Sequence, residues 1–314
     1  MHATDCFQQP ASTAAFLAQM LDAPVSGLHW LASGSHTRVF GFDWQQRTWV
    51  LRVARSPEQI LKCWQAERWL RHWLPLPHTL QQGQQDGFYW SIQSRLPGQP
   101  LSSLPPAQQG QLLPQILQRW ADFQAAAPLL QPACGYGPLH WEQGTGFASW
   151  QAFLADSVIL RADPTRWKHP AHRQAFERAQ ARYQKLCPHC PETAFVLHGD
   201  AKGANLLVDG QALRGVVDWA TLGCGDWAYD PAALVLYLPL PLWSEAIGLT
   251  QQAYDRFDQQ DLMARLLCYM LHSALEALIH LAPHEMPDST ADRRTADMLQ
   301  RLAALDQLAT DSGL

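Results

Sequence analysis

His198-Gly199-Asp200-Ala201-Lys202-Gly203-Ala204-Asn205, followed by Val216-Val217-Asp218-Trp219, is the stretch on which the reading of this chain turns. Asp200 is placed to accept the proton of an attacking hydroxyl. Asn205 lies five residues further on and Asp218 eighteen residues after Asp200, so an amide oxygen and a second carboxylate are available to a divalent cation. Phosphoryl transfer asks little more of a protein: an in-line hydroxyl, a base, and oxygen ligands for the cations that neutralise the phosphates. The local pattern supplies the geometry. Phe195-Val196-Leu197 is a short apolar run feeding a loop. Leu206-Leu207-Val208 and Leu213-Arg214-Gly215-Val216-Val217 read as strands joined at Asp209-Gly210. Such a hairpin carries Asn205 and Asp218 on adjacent strand ends. Each residue alone is an ordinary turn residue; the three together, with a hairpin between them, define a reaction centre.

The same stretch, extended by Gly225-Asp226 and Tyr229-Asp230, resembles the aminoglycoside phosphotransferase family. The resemblance implies an α+β, bilobal protein-kinase-like fold. A small β-rich N-terminal lobe, residues 1–95, would bind nucleotide, and a larger, mainly helical C-terminal lobe, residues 96–314, would carry catalysis and substrate. It implies ATP and Mg²⁺ as cofactors, Asp200 as catalytic base, and Asn205 and Asp218 as metal ligands. His198 orders the loop in this motif. Lys202 is similar to the Lys of protein-kinase catalytic loops, which steadies the transferring phosphate; a solvated loop lysine is the alternative.

In the N-terminal third, Trp30 to Asp43 reads as strand, tight turn, strand, with Gly34 allowing close approach to phosphates and Ser35, His36 and Thr37 offering donors. A plain hairpin explains that segment equally well. Thr48 to Ala54 alternates as a strand, and the position where kinases carry a phosphate-binding Lys falls on Arg52. Arg is not a neutral exchange for Lys at such a site, but a guanidinium clamps phosphate oxygens bidentately with permanent charge. Val50-Leu51-Arg52-Val53, Gly135-Tyr136-Gly137-Pro138 and Trp150-Gln151-Ala152-Phe153 all resemble the hygromycin branch of the family, which makes Arg52 functional. Its expected partner is Glu67, in a helix predicted over Ile60 to Trp73. Phe88 to Leu96 reads as a further strand, and the resemblance makes the backbone of Gln93, Ser94 and Arg95 the adenine-binding lobe junction.

The chain has 314 residues, 47% of them hydrophobic, which fits one bilobal enzyme or two small domains with a sizeable core. A net charge of −5 argues against a general nucleic-acid binder. Residues 1–20 lack the basic start of a signal peptide, and the long apolar helix Leu262 to Leu281 is broken by Arg265, His272, Glu276 and His280, against a membrane span. Seven cysteines without a secretory signal point to reduced thiols in the cytoplasm. Cys187-Pro188-His189-Cys190 follows a helix predicted over Ala171 to Leu186, the wrong context for a redox C-x-x-C, and no second ligand pair suits zinc; it reads as a loop. Further helices are predicted around Leu112 to Phe123, Trp150 to Val158 and Tyr229 to Tyr237.

The resemblance implies transfer of the ATP γ-phosphate to a hydroxyl of a small molecule. A cationic acceptor is held in this family by carboxylates, and Asp226, Asp230, Glu276, Glu285 and Asp288 are the candidates, Glu276 on the apolar helix being the best. Asp226 and Asp230 have a plainer reading, in which they order the loop after Asp218. Three functions remain open: an antibiotic kinase of the hygromycin type, a metabolic kinase for a sugar or amino alcohol, and a catalytically silent nucleotide binder.

Overall fold

The computed structural model describes residues 6–33, 37–127, 135–139, 146–156, 158–167, 169–281 and 289–314. Gly34, Ser35 and His36, read as phosphate-binding, lie outside them, as do Glu285 and Asp288. Helix α1 (Pro10–Leu21) precedes three strands, β1 (Ser26–Ser33), β2 (Thr37–Trp44) and β3 (Arg47–Ala54). Helix α2 (Glu58–Leu70) and the hairpin β4 (Thr79–Gln85) and β5 (Phe88–Ser94) follow. The strands form one antiparallel sheet in the order β1-β2-β3-β5-β4. Alternation decides its faces. Trp49, Leu51 and Val53 of β3 join Phe40, Phe42, Trp90 and Ile92 in a core that Phe16 and Leu17 of α1 cover. Arg52, between Leu51 and Val53, points to the other face. There it stands opposite Ser91 on β5 and close to α2.

The rest of the chain continues with β6 (Gln99–Pro100), α3 (Pro106–Ala126), β7 (Gly137–Pro138), α4 (Trp150–Ala155), α5 (Val158–Arg161) and α6 (Pro170–Leu186). Then come β8 (Phe195–Leu197), β9 (Leu206–Val208), β10 (Leu213–Val216), β11 (Gly223–Gly225), α7 (Tyr229–Tyr237), α8 (Trp243–Ala253), α9 (Leu262–Leu281) and α10 (Ser289–Asp311). Two small sheets, β10-β9-β6 and β7-β11-β8, sit among the helices. The first is the expected hairpin, its turn fixed by Asp209, whose Oδ1 accepts the Gln211 and Ala212 amides at 3.1 Å each. Helix α9 is long and apolar enough to cross a membrane, but 72% of its apolar window is buried in the protein. It is the axis of the larger core, packed on α6, α7 and α10. Helix α2 lies between the two cores: its Cys63, Ala66 and Leu70 belong to the larger one, against the turn that follows Asp218.

Candidate active site

Strand β8 delivers His198 into a buried position between the rings of Trp120 and Trp219. The Asp200 amide donates to His198 Nδ1 at 3.2 Å, so the ring proton sits on Nε2, 3.0 Å from the Val217 carbonyl. One imidazole thus ties the base-bearing loop to the strand end before Asp218. Gly199 adopts φ +82°, and a Cβ there would lie 2.4 Å from the Thr221 carbonyl oxygen, so only glycine allows this crossing. Asp230 completes the support. Its carboxylate accepts the His198 amide at 2.8 Å, the Gly199 amide at 2.9 Å and Trp120 Nε1 at 3.3 Å. Burial pushes the Asp230 carboxyl up, and these donors pull against it.

On this frame Asp200 projects, half-buried, with Lys202 Nζ at 2.7 Å from Oδ2. Asn205 Nδ2 donates to the same Oδ2 at 2.9 Å and to the Asp200 carbonyl at 2.8 Å. With the amide nitrogen committed to Asp200, Oδ1 is the Asn205 atom available to a cation. Asp218 has φ 65° and ψ 59°, a left-handed conformation that is costly for a residue with a Cβ. Its Oδ1 accepts Arg52 Nη2 at 2.7 Å, with Arg52 8% and Asp218 43% exposed. Burial pushes the Asp218 carboxyl up, but the charge and hydrogen bond of Arg52, with His198 and Lys202 behind them, outweigh it and hold it below the usual carboxylate range.

Arg52 therefore points into the cleft, but its expected partner is not there. Glu67 turns toward β4: Oε1 lies 2.7 Å from His78 Nδ1 and Oε2 accepts the Thr79 amide at 2.8 Å. The helix presents Cys63, one turn earlier, beside Arg52 instead. The pairing of Arg52 with Glu67 is thus corrected: the register of α2 spends the acid on the start of an edge strand. Arg52 Nε is buried without a partner. That orphaned donor, the Asp218 oxygen not used by Arg52, and Asn205 Oδ1 make a set of hard oxygen ligands beside an unpaid cationic donor. This set fits a magnesium–phosphate group. At the lobe junction the Ser94 amide donates to the His78 carbonyl at 2.8 Å and the Arg95 amide to the Thr48 carbonyl at 3.3 Å. Those two amides are engaged within the lobe, and Gln93 is buried in the sheet.

Where the catalytic loop begins, at Gly199, a cleft is lined by Gly137, Trp150, Phe153, Gly199, Tyr229 and Glu276. The Glu276 carboxylate, half exposed, is 4.0 Å from His272 Nδ1, which also lies 3.2 Å from the Tyr229 hydroxyl. Burial keeps His272 below its ordinary value, hence neutral. Burial, with the charges of Glu276 and Asp200 behind it, raises Tyr229 well above its ordinary value and Tyr237 to about 12. The two carboxylates thus act on one space.

Asp226 and Asp230, read as acceptor-binding carboxylates, are not part of that space: each is at most 1% exposed. Asp230 holds the loop amides, as described. Asp226 receives Arg265 Nε at 2.8 Å, Arg265 Nη2 at 2.6 Å and the Tyr269 hydroxyl at 2.7 Å. Nothing in the sequence marked Tyr229 as a cleft residue with His272 behind it, because aromatic and histidine positions on buried helices look the same whether they face a core or a cleft.

Residues 29–266 match the model described as the phosphotransferase enzyme family, and the chain belongs to that family. Its fold is protein-kinase-like, and it is an ATP-dependent kinase acting on hydroxyl groups. Among individual proteins, it is 30% identical over 283 residues to the hygromycin-B 4-O-kinase of Escherichia coli, spanning 84% of this chain and 76% of that one. Its structure matches a thermostable mutant of aminoglycoside phosphotransferase APH(4)-Ia in ternary complex with AMP-PNP and hygromycin B. The TM-score is 0.74 at 25% identity, over 96% of this chain and 99% of that one. The GDP complex of wild-type aminoglycoside 2'-phosphotransferase-IIIa shares the fold, with a TM-score of 0.66 at 15% identity over 97% and 100% of the chains.

Proposed function

We propose that this chain transfers the γ-phosphate of ATP to a hydroxyl of a cationic aminoglycoside of the hygromycin type. The observation that carries this reading is that the loop bearing Asp200 borders two differently charged spaces, meeting Asn205 on one side and lining a cleft through Gly199 on the other. On one side stand Arg52, Asn205 and Asp218, suited to a phosphate–cation group; on the other lies an aromatic-walled cleft with Glu276. The relatives named for hygromycin B support the choice of acceptor.

In this mechanism Asp200 accepts a hydrogen bond from the acceptor hydroxyl, orients it, and takes its proton as the bond to phosphorus forms. Lys202, 2.7 Å from Asp200, keeps a positive charge beside the reacting oxygen. Asn205 holds Asp200 in place through its amide nitrogen, and with Asp218 it offers oxygens to magnesium, which when bound neutralises the nucleotide phosphates. Arg52 exchanges Asp218 for a phosphate oxygen and satisfies its orphaned Nε in doing so. Glu276 holds an ammonium group of the acceptor. A cytoplasmic location accords with the need for ATP and with the free cysteines.

Phosphate transfer from ATP is measured against hygromycin B, other aminoglycosides, neutral sugars and amino alcohols. The reading predicts turnover with hygromycin-type aminoglycosides at kcat/KM well above the rest. Turnover only with a neutral sugar or an amino alcohol would replace the antibiotic kinase by a metabolic one. ATP binding without transfer to any acceptor would leave the silent nucleotide binder.

A further inference from the structure

Three thiols meet where the end of α6 passes α9. Cys187 opens the short helical turn that follows α6, and Cys190 closes it, donating its amide to the Cys187 carbonyl at 3.0 Å. Cys268, on α9, brings its Sγ to 3.9 Å from that of Cys187, across 81 residues of chain. All three are free cysteines. Cys190 and Cys268 are buried, whereas Cys187 is half-buried at the margin of the larger core and is the most exposed of the three. His189, between the two cysteines of the turn, is directed away, with Nδ1 3.0 Å from Asp261. Among the described residues no group of three or more His, Cys, Asp and Glu side chains is arranged to hold a metal ion. The chemistry left to this cluster is that of sulfur with sulfur.

We propose that Cys187 and Cys268 form a reversible disulfide site, with a low-molecular-weight disulfide as the oxidant. The Cys187 thiolate attacks one sulfur of the oxidant, forming a mixed disulfide and releasing one thiolate. Cys268 then gives up its proton and attacks Cys187 Sγ, expelling the second small thiolate. Two protein thiols become one disulfide, and the oxidant is reduced to two thiols. Closing the bond brings the sulfurs from contact to about 2 Å, a side-chain movement of about the same size. The hydrogen bond with Cys268 outweighs burial and holds the Cys187 thiol below its ordinary value, which favours it as the attacking group. Cys268 is pushed well up, mainly by burial, and suits the resolving role, in which it reacts only when a sulfur is already bonded to its neighbour.

The site is tied to the acceptor cleft through α9. Cys268, His272 and Glu276 follow at four-residue intervals, one helical stripe from the thiols to the cleft carboxylate. A Cys187–Cys268 bond therefore anchors α9 about two turns before Glu276.

The test is incubation of the full chain with oxidised glutathione, followed by peptide mapping without reduction and a thermal melt. A peptide pair linking Cys187 to Cys268, removed by dithiothreitol, supports the proposal. So does a rise in Tm of about 5 °C, in the direction set by the entropy lost from the unfolded chain. Both should vanish in Cys187→Ser, whose side chain is half-buried and isosteric, and in Cys268→Ala. If Cys268→Ala fails to fold, Cys187→Ser carries the comparison alone. A glutathione adduct on Cys187 without a link to Cys268, a Cys187–Cys190 link only, or links only between molecules would overturn the proposal.

Discussion

Asp226→Asn is the substitution that separates a structural carboxylate from a substrate-binding one. The wild-type side chain accepts five hydrogen bonds. Two come from Arg265 at 2.6 and 2.8 Å, one from Tyr269 at 2.7 Å, and weaker ones from the Ala228 amide at 3.4 Å and Thr193 at 3.5 Å. The Arg265–Asp226 side chains are 0% exposed. Asn keeps the shape but removes the charge and replaces one acceptor by a donor, so an N–H faces Arg265 or the Tyr269 hydroxyl. Arg265 Nη1 retains the carbonyls of Asp258 at 2.8 Å and Gln260 at 3.2 Å, which soften but do not cancel the loss. Leaving a buried cation without its partner costs about 3–5 kcal/mol. For a chain of this length that lowers Tm by roughly 6–10 °C. The double variant Asp226→Leu/Arg265→Met, with no charge left to bury, should melt above the single one. Differential scanning calorimetry and steady-state kinetics on the same preparations decide the matter. A Tm within about 1 °C of wild type, together with a raised KM for the acceptor, would refute this reasoning and return Asp226 to the substrate site.

Glu276→Gln should raise the KM for a cationic acceptor about tenfold and leave that for ATP unchanged, as expected for loss of one charge-assisted hydrogen bond. Equal changes in both constants would place Glu276 outside the acceptor cleft. The depressed Asp218 carboxyl stabilises the fold above its unfolded-state value, and that contribution fades as pH falls below about 4 and through the lower folded value. Arg52→Met should therefore lose less Tm than wild type between about pH 4 and pH 2; parallel acid limbs would contradict the ion pair. Gly199→Ala should lower kcat about 10²-fold, since the loop bearing Asp200 must shift to clear the Thr221 carbonyl. Wild-type kinetics would show the crossing to be slack.

The catalytic loop was legible because its signals are local. An apolar run enters it, Asp209-Gly210 marks the turn, which runs on to Ala212, and Asp200, Asn205 and Asp218 are fixed by short spacings. The helices Tyr229–Tyr237 and Leu262–Leu281 fall on their expected bounds. Strand β4 escaped, since Thr79-Leu80-Gln81-Gln82-Gly83-Gln84-Gln85 has no apolar alternation; it is a polar edge strand held through β5. Glu67 was misassigned for a related reason. Which side of α2 faces Arg52 depends on how the helix sits between two cores, and composition does not encode that rotation. Asp226 looked available because its partner, Arg265, lies 39 residues away on another helix. The nearness of Cys268 to Cys187 was invisible on the same ground: long-range pairs are set by packing, not by spacing.

Asp200 as the base of a phosphotransferase is the assignment on which every other residue role depends. The most direct measurement is single-turnover phosphate transfer by Asp200→Asn, with nucleotide affinity measured on the same sample. The rate should fall at least about 10²-fold, with MgATP still bound within about threefold of wild type. Transfer at a near-wild-type rate would contradict it.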